Sequence, residues 1–135
     1  MLFAANRWEK VDQINEFKKS HRVIIINRYS ESNIVYGAAN GLPIDWLMTL
    51  EEGLPKPDLV LVLDANPEGL RFRRTRSRDS YERNSHLQAR AQSLYRKLAQ
   101  RFGWKLIDGN RDVESVHQSI VEITENVMNP RRRGR

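Results

Sequence analysis

The sequence predicts a three-layer α/β fold with a parallel sheet, and two observations carry that expectation. Three short runs, Val23-Ile24-Ile25-Ile26, Leu59-Val60-Leu61-Val62-Leu63 and Trp104 to Ile107, are apolar with little or no polar alternation. Such runs fit strands covered on both faces, as in a parallel sheet flanked by helices. The segments between them carry apolar residues at helical spacing, so strands and helices alternate.

Each element has its own signal. Trp8, Val11, Ile14 and Phe17 recur at helical spacing and predict a helix over residues 2–19. Residues 22–26 are the first strand, ending abruptly in Asn27-Arg28-Tyr29. Residues 30–39 read as a helix, which Gly41-Leu42-Pro43 breaks. A helix from Ile44 to about Glu52 follows, and GLPKPD turns the chain rigidly into the strand at 59–63, which Asp64 ends. Asn66-Pro67 opens another helix, with proline suited to the first turn. The arginine-rich stretch 71–79 is part helix and part loop. Leu87, Ala91, Leu94 and Leu98 share one face of a helix over 81–102, capped by Gly103. The strand at 104–107 and a last helix from Asp112 through Val127 complete the chain.

Bulk properties narrow the function. A length of 135 residues suits one domain, here residues 1–128, followed by a basic disordered tail at 129–135. There is no cysteine, which excludes disulfides and thiolate metal sites. His21, His86 and His117 stand far apart without ligand spacing, so no metal site is expected. No apolar run approaches the roughly 20 residues that span a bilayer, and no signal pattern opens the chain. The reading is a cytoplasmic protein with no membrane partner. The net charge of +6 is concentrated in Arg71, Arg73, Arg74, Arg76 and Arg78 and in the tail Arg131, Arg132, Arg133 and Arg135. Arginine forks match phosphate oxygens, so a phosphate-bearing ligand is indicated. Ligands of open α/β sheets bind beyond the carboxyl ends of the strands, and Arg28 stands at such an end. The same runs also fit a solvated face.

Five segments in order, LFAANRWE, NRYSESNIVYGAANGL, GLPKPDLVLVLD, SYERNSHLQARAQSLY and GWKLIDG, resemble the thymidylate kinase (dTMP kinase) family from residue 2 to about residue 125. The resemblance implies a P-loop-kinase-like fold. It also implies transfer of the γ-phosphoryl of ATP to dTMP with Mg²⁺, giving ADP and dTDP for dTTP biosynthesis. It implies small-molecule nucleotides as ligands and a homodimer, with nucleic acid an unlikely partner. It assigns Phe3 to stacking on thymine, Arg7 to the base, and Arg28 to the dTMP phosphate. Ser32 and Asn33 meet the thymine edge, Tyr36 and Tyr81 flank the nucleoside, and Gln88 makes a polar contact. Arg74, Arg76 and Arg78 match the lid that closes over the phosphates. Asp108, Gly109 and Asn110 match the loop bordering adenine. A less favoured alternative for Phe3 is a core residue of an amphipathic helix.

Two departures from the family pattern bear on mechanism. Asn27 stands where the family's Asp-Arg-Tyr box has an aspartate that helps order Mg²⁺ and the phosphates. No G-x-x-x-x-G-K-[ST] motif occurs in the 135 residues. The chain therefore reads as the C-terminal two-thirds of such a kinase, with its true start upstream. The N-terminal P-loop strand would separate 22–26 from 58–63, leaving two unpaired edges and doubtful activity for this chain alone. The alternatives are a non-catalytic nucleotide-binding remnant and a basic nucleic-acid-binding module.

Overall fold

A computed structural model describes residues 2–21, 23–66 and 79–129, apart from the side chains of residue 2 and of residues 79–84. The expected helix after Pro67, the arginine stretch with Arg74, Arg76 and Arg78, Arg22, and the tail beyond Asn129 lie outside the described residues. The chain divides into two compact units, residues 1–56 and 57–135.

The first unit is helical. Its elements are α1 (Leu2–Glu9), α2 (Val11–Ser20), α3 (Ser30–Ala39) and α4 (Ile44–Leu50). The single helix expected over 2–19 is two helices, joined at Lys10. A spacing of three residues falls about 60° short of a full turn at each step. The stripe Trp8, Val11, Ile14, Phe17 therefore spirals around the helix and defines no continuous face. Trp8 is drawn to α4, donating its indole N–H to the Leu50 carbonyl at 3.1 Å. Phe17 instead sits edge-on to His21, with ring centroids 5.5 Å apart, and α2 buries none of its residues.

The core of this unit is Ala4, Ile34, Val35, Ala39, Leu47 and Leu54. Helix α3 reaches α4 through Gly37, where an added Cβ would stand 2.6 Å from a Leu47 methyl. A side chain there would require the buried Leu47 side chain to move. Gly53, at φ +94°, brings backbone beneath the Trp8 ring, 2.8 Å from the position of an added Cβ.

The expected strand at 22–26 does not form: described residues 23–26 carry no strand pairing. A strand needs a hydrogen-bonded neighbour, and apolar composition alone supplies none. Ile25 is 90 % exposed, and Val23 and Ile26 are also exposed.

The second unit holds a parallel pair, β1 (Leu61–Asp64) and β2 (Lys105–Asp108), with α5 (Asp79–Phe102) between them and α6 (Val113–Met128) after them. The register pairs Leu61 with Lys105 and Asp64 with Asp108. Both strands thus fall where the sequence places them, one or two residues later. Ala91, Leu98 and Ala99 of α5 and Ile107 of β2 are buried. Leu63 and Leu106 remain exposed at 56 % and 44 %, so the strands are not covered on both faces as expected. The described residues form a small two-stranded sheet, and the third expected strand is absent from it. At the far end, Asp112 caps α6 by accepting from the Ser115 N–H at 2.9 Å. No described helix is long and apolar enough to cross a membrane.

Candidate functional site

In the first unit, helices α1 and α3 and the C-terminus of α4 bring together most of the residues expected to meet the substrate. Arg7 lies one turn after Phe3 on α1, so the two share a face. The Phe3 ring is 75 % exposed, which removes the reading of Phe3 as a core residue. Arg7 is the opposite case, its side chain only 11 % exposed. It donates from Nε to Glu51 Oε2 at 2.8 Å and from Nη2 to Glu51 Oε1. Asn33 Nδ2 donates to that same Oε1 at 2.7 Å.

Glu51 is therefore the hub of the cluster, its side chain 5 % exposed and holding three donors. Sequence reasoning missed it. The available signal was position: an acid at the end of a helix faces the negative pole of the helix dipole, which disfavours it unless a cation is near. The adjacent pair Arg7-Trp8 explains the placement. Trp8 anchors α1 to Leu50, and Arg7 then meets the next residue, Glu51.

The second cluster surrounds Arg28. Its φ of 63° is left-handed, alone among described non-glycine residues, a conformation costing about 1–2 kcal/mol in an L-residue. The side chain is held by Ser32 and Tyr36, one turn apart on α3. Arg28 Nε donates to Ser32 Oγ at 3.1 Å, and its guanidinium lies 4.9 Å from the Tyr36 ring centroid. The exposed arginine keeps both terminal nitrogens of its fork. Ser32 is buried at 9 %; having accepted from Arg28, its hydroxyl can still donate. Asn27 is exposed. The Tyr29 hydroxyl is buried without a hydrogen-bond partner among the described residues. Burial, and then the nearby Glu31 carboxylate, push its pKa above the ordinary phenol value.

The second unit carries the residues expected near the nucleotide donor. Asp64 and Asp108 end the two paired strands side by side. Asp64 accepts from Arg96 Nε at 2.6 Å and from Gln92 Nε2 at 2.8 Å. These bonds, that from Arg96 foremost, hold its carboxyl below the usual aspartate range. Asp108 accepts from the backbone N–H of Asn110 at 2.9 Å and from its Nδ2 at 2.7 Å, and these lower its pKa as well. Asn110 Oδ1 in turn accepts from the Asn66 N–H at 2.7 Å, and the Gly109 N–H donates to the Asp64 carbonyl at 2.9 Å. At Gly109 the turn packs closely, since an added Cβ would approach that of Ala65 to 3.1 Å. The expected adenine loop is thus a turn tied to the ends of both strands. Half-buried Gln88 stands one turn before Gln92 on α5, on the face that reaches Asp64. Tyr81 belongs to α5, and its side chain lies outside the described residues.

No group of three histidine, aspartate or glutamate side chains able to hold a metal forms among the described residues. Asn27 is neutral, and the carboxylates of Asp64 and Asp108 are engaged by side chains of their own unit. The described residues do not by themselves fit a bound Mg²⁺ ion.

The family model described as thymidylate kinase matches residues 1–120. A thymidylate kinase of Danio rerio is 34 % identical over 131 residues, covering 95 % of this chain and 61 % of that protein. The Homo sapiens thymidylate kinase is 33 % identical over 131 residues, with the same coverage of each chain. A probable thymidylate kinase of Thermococcus kodakarensis is 36 % identical over 133 residues, covering 95 % of this chain and 64 % of the relative. The chain spans about six-tenths of the length of these relatives.

Proposed function

The chain belongs to the thymidylate kinase family, and from that premise we propose that its first unit carries the acceptor site of a dTMP kinase. In the proposed reaction a phosphate oxygen of dTMP attacks the γ-phosphorus of ATP. The bond from that phosphorus to the β-phosphate bridging oxygen breaks, leaving dTDP and ADP. The observation that carries the reading is the convergence on helix α3 of two differently built clusters. One, Arg7–Glu51–Asn33, is largely buried and joined by three hydrogen bonds. The other, Arg28–Ser32–Tyr36, ends in an exposed guanidinium fork.

The first suits a base. An exposed ring such as Phe3 offers a stacking face, and Arg7 and Asn33 supply polar groups fixed in place before binding. Buried donors and acceptors discriminate between bases more sharply than solvated ones. The second suits a phosphate. The free edge of the Arg28 fork matches two phosphate oxygens, while Ser32 and Tyr36 restrict its rotamers. The left-handed backbone at Arg28 aims that fork, and strain of this kind collects at sites where geometry matters more than stability. Ser32 and Tyr36 are proposed to touch the nucleoside as well as to hold Arg28, and the family resemblance supports Tyr81 and Gln88 as further nucleotide-binding residues.

On the donor side, we assign Asp108, Gly109 and Asn110 to the border of the adenine, and Arg74, Arg76 and Arg78 to the phosphates. Lid arginines would place positive charge where the transferring group gathers negative charge. Mg²⁺ would enter with ATP as part of the co-substrate, and Asn27 would contribute no charge to it. We further propose that residues 1–128 belong to one kinase domain, that residues 129–135 are a basic tail, and that the protein acts in the cytoplasm as a homodimer.

Calorimetric titration with dTMP, thymidine, dCMP and dGMP tests the acceptor site, and coupled ADP release with ATP, Mg²⁺ and dTMP tests the transfer. dTMP should bind more tightly than thymidine, and Arg28→Ala should erase most of that difference, a loss of about 1.5–3 kcal/mol for a charged hydrogen-bonded contact. Equal affinity for all the nucleotides would remove the base site.

A further inference from the structure

Resting on that base-site reading, we infer that Glu51 is a positioning residue that sets specificity: it fixes the hydrogen-bonding polarity of the Arg7 and Asn33 pair. A carboxylate can only accept. Asn33 must therefore turn its amide nitrogen toward Glu51, as it does at 2.7 Å. The amide oxygen is then the group left to face a ligand, and it is an acceptor. Arg7 spends Nε and one Nη2 hydrogen on Glu51. What remains of its fork, the Nη1 edge, can only donate. Both residues donate to the same oxygen, Oε1, so the two readers stand side by side.

The resulting pattern, one donor beside one acceptor, is complementary to a 4-oxo-pyrimidine. Thymine and uracil present a carbonyl oxygen next to a ring N–H. Cytosine presents an amine next to an unprotonated ring nitrogen, so it meets donor with donor and acceptor with acceptor. The cost of such a mismatch grows with burial, because unmet groups find no water. Glu51 needs no contact with the nucleotide to have this effect. Its own burial, at 5 % side-chain exposure, keeps its three bonds from exchanging with solvent.

The test is calorimetry of dTMP and dCMP with the full chain, Glu51→Gln and Glu51→Asp. The unaltered chain should prefer dTMP by about a hundredfold, the upper scale for leaving one buried hydrogen-bonding group unsatisfied. In Glu51→Gln, the new amide can donate to Asn33 Oδ1 and let the Asn33 amide turn over. The preference should fall below tenfold. Glu51→Asp keeps an acceptor-only group, so it should weaken both nucleotides and retain their ratio. An unchanged ratio in Glu51→Gln would overturn the inference. Loss of the ratio in Glu51→Asp as well would do so too, since a merely structural role predicts equal damage from both. Absence of any preference in the unaltered chain would defeat the base-site reading itself, before any variant is compared. Should Glu51→Gln fail to fold, side-chain amide exchange of Asn33 in the unaltered chain supplies the answer by NMR. One protected Nδ2 proton supports the inference, and two protons exchanging at the rate of free asparagine overturn it.

Discussion

Replacing Arg7 by methionine should destabilise the first unit far more than an ordinary helix substitution. Arg7 provides two of the three hydrogen bonds to Glu51, and the two side chains are 11 % and 5 % exposed. After Arg7→Met, the Glu51 carboxylate keeps only Asn33 and stays out of reach of water. Removing one member of a buried ion pair costs about 3–5 kcal/mol, because the other charge is stranded. Glu51→Leu should cost a similar amount by stranding the guanidinium. The double variant should cost only about 1 kcal/mol, since no buried charge remains and half-buried Asn33 loses one acceptor. Urea unfolding followed by tryptophan fluorescence measures each arm. A Trp104→Phe background leaves Trp8 and Trp46, both in the first unit, as the reporters. A loss below about 1 kcal/mol for Arg7→Met, the range of solvent-exposed pairs, would refute the description of this pair as buried and coupled. A double variant worse than either single one would refute the stranded-charge explanation.

Two other outcomes follow from the packing and the electrostatics. Gly37→Ala should destabilise by about 1–3 kcal/mol by overpacking, since its Cβ would meet the Leu47 methyls at 2.6 and 2.7 Å; a gain in urea midpoint, as at an open helical glycine, would contradict the close approach. Asp64 has its pKa lowered in the folded state by bonds from Arg96 and Gln92. Its contribution is complete above the ordinary aspartate value of 3.8 and lost as pH falls through the lower folded value. Asp64→Asn should therefore reduce, without abolishing, the difference in thermal stability between pH 6 and pH 3 reported by Trp104, because Asp108 and Asp112 are lowered too.

Most of the described helices and the second and third strands are legible because their determinants are local. Proline at Pro43, Gly41 and Gly103 at positive φ, and the Asp112 cap mark boundaries that neighbours in sequence can enforce. The run Val23 to Ile26 was misread because apolar residues favour a strand only where another strand lies alongside. The split at Lys10 escapes the pattern because a three-residue spacing resembles a helical stripe over one step and drifts by about 180° over the three steps from Trp8 to Phe17. In the candidate site, resemblance to a known pattern is what singles out Arg7, Arg28, Asn33 and Tyr36. Glu51 is not singled out, because a buried acid looks like a solvated one until its distant partner at Arg7 is in place, 44 residues earlier.

The anchoring of α1 has a consequence for how recognition can evolve. Consecutive residues Arg7 and Trp8 grip the end of α4 from directions about 100° apart around the helix axis, so α1 is fixed in rotation as well as position. Phe3 inherits a set direction from that grip while contributing almost no buried surface of its own. On the proposed reading, the stacking face offered to a base is thereby separated from the contacts that hold this short helix in place. Substitutions at residue 3 can be sampled with little penalty in folding, and each will present its side chain from the same place. On the proposed base-site reading, such a position can drift, or be redesigned, toward another base without the unit having to be stabilised anew.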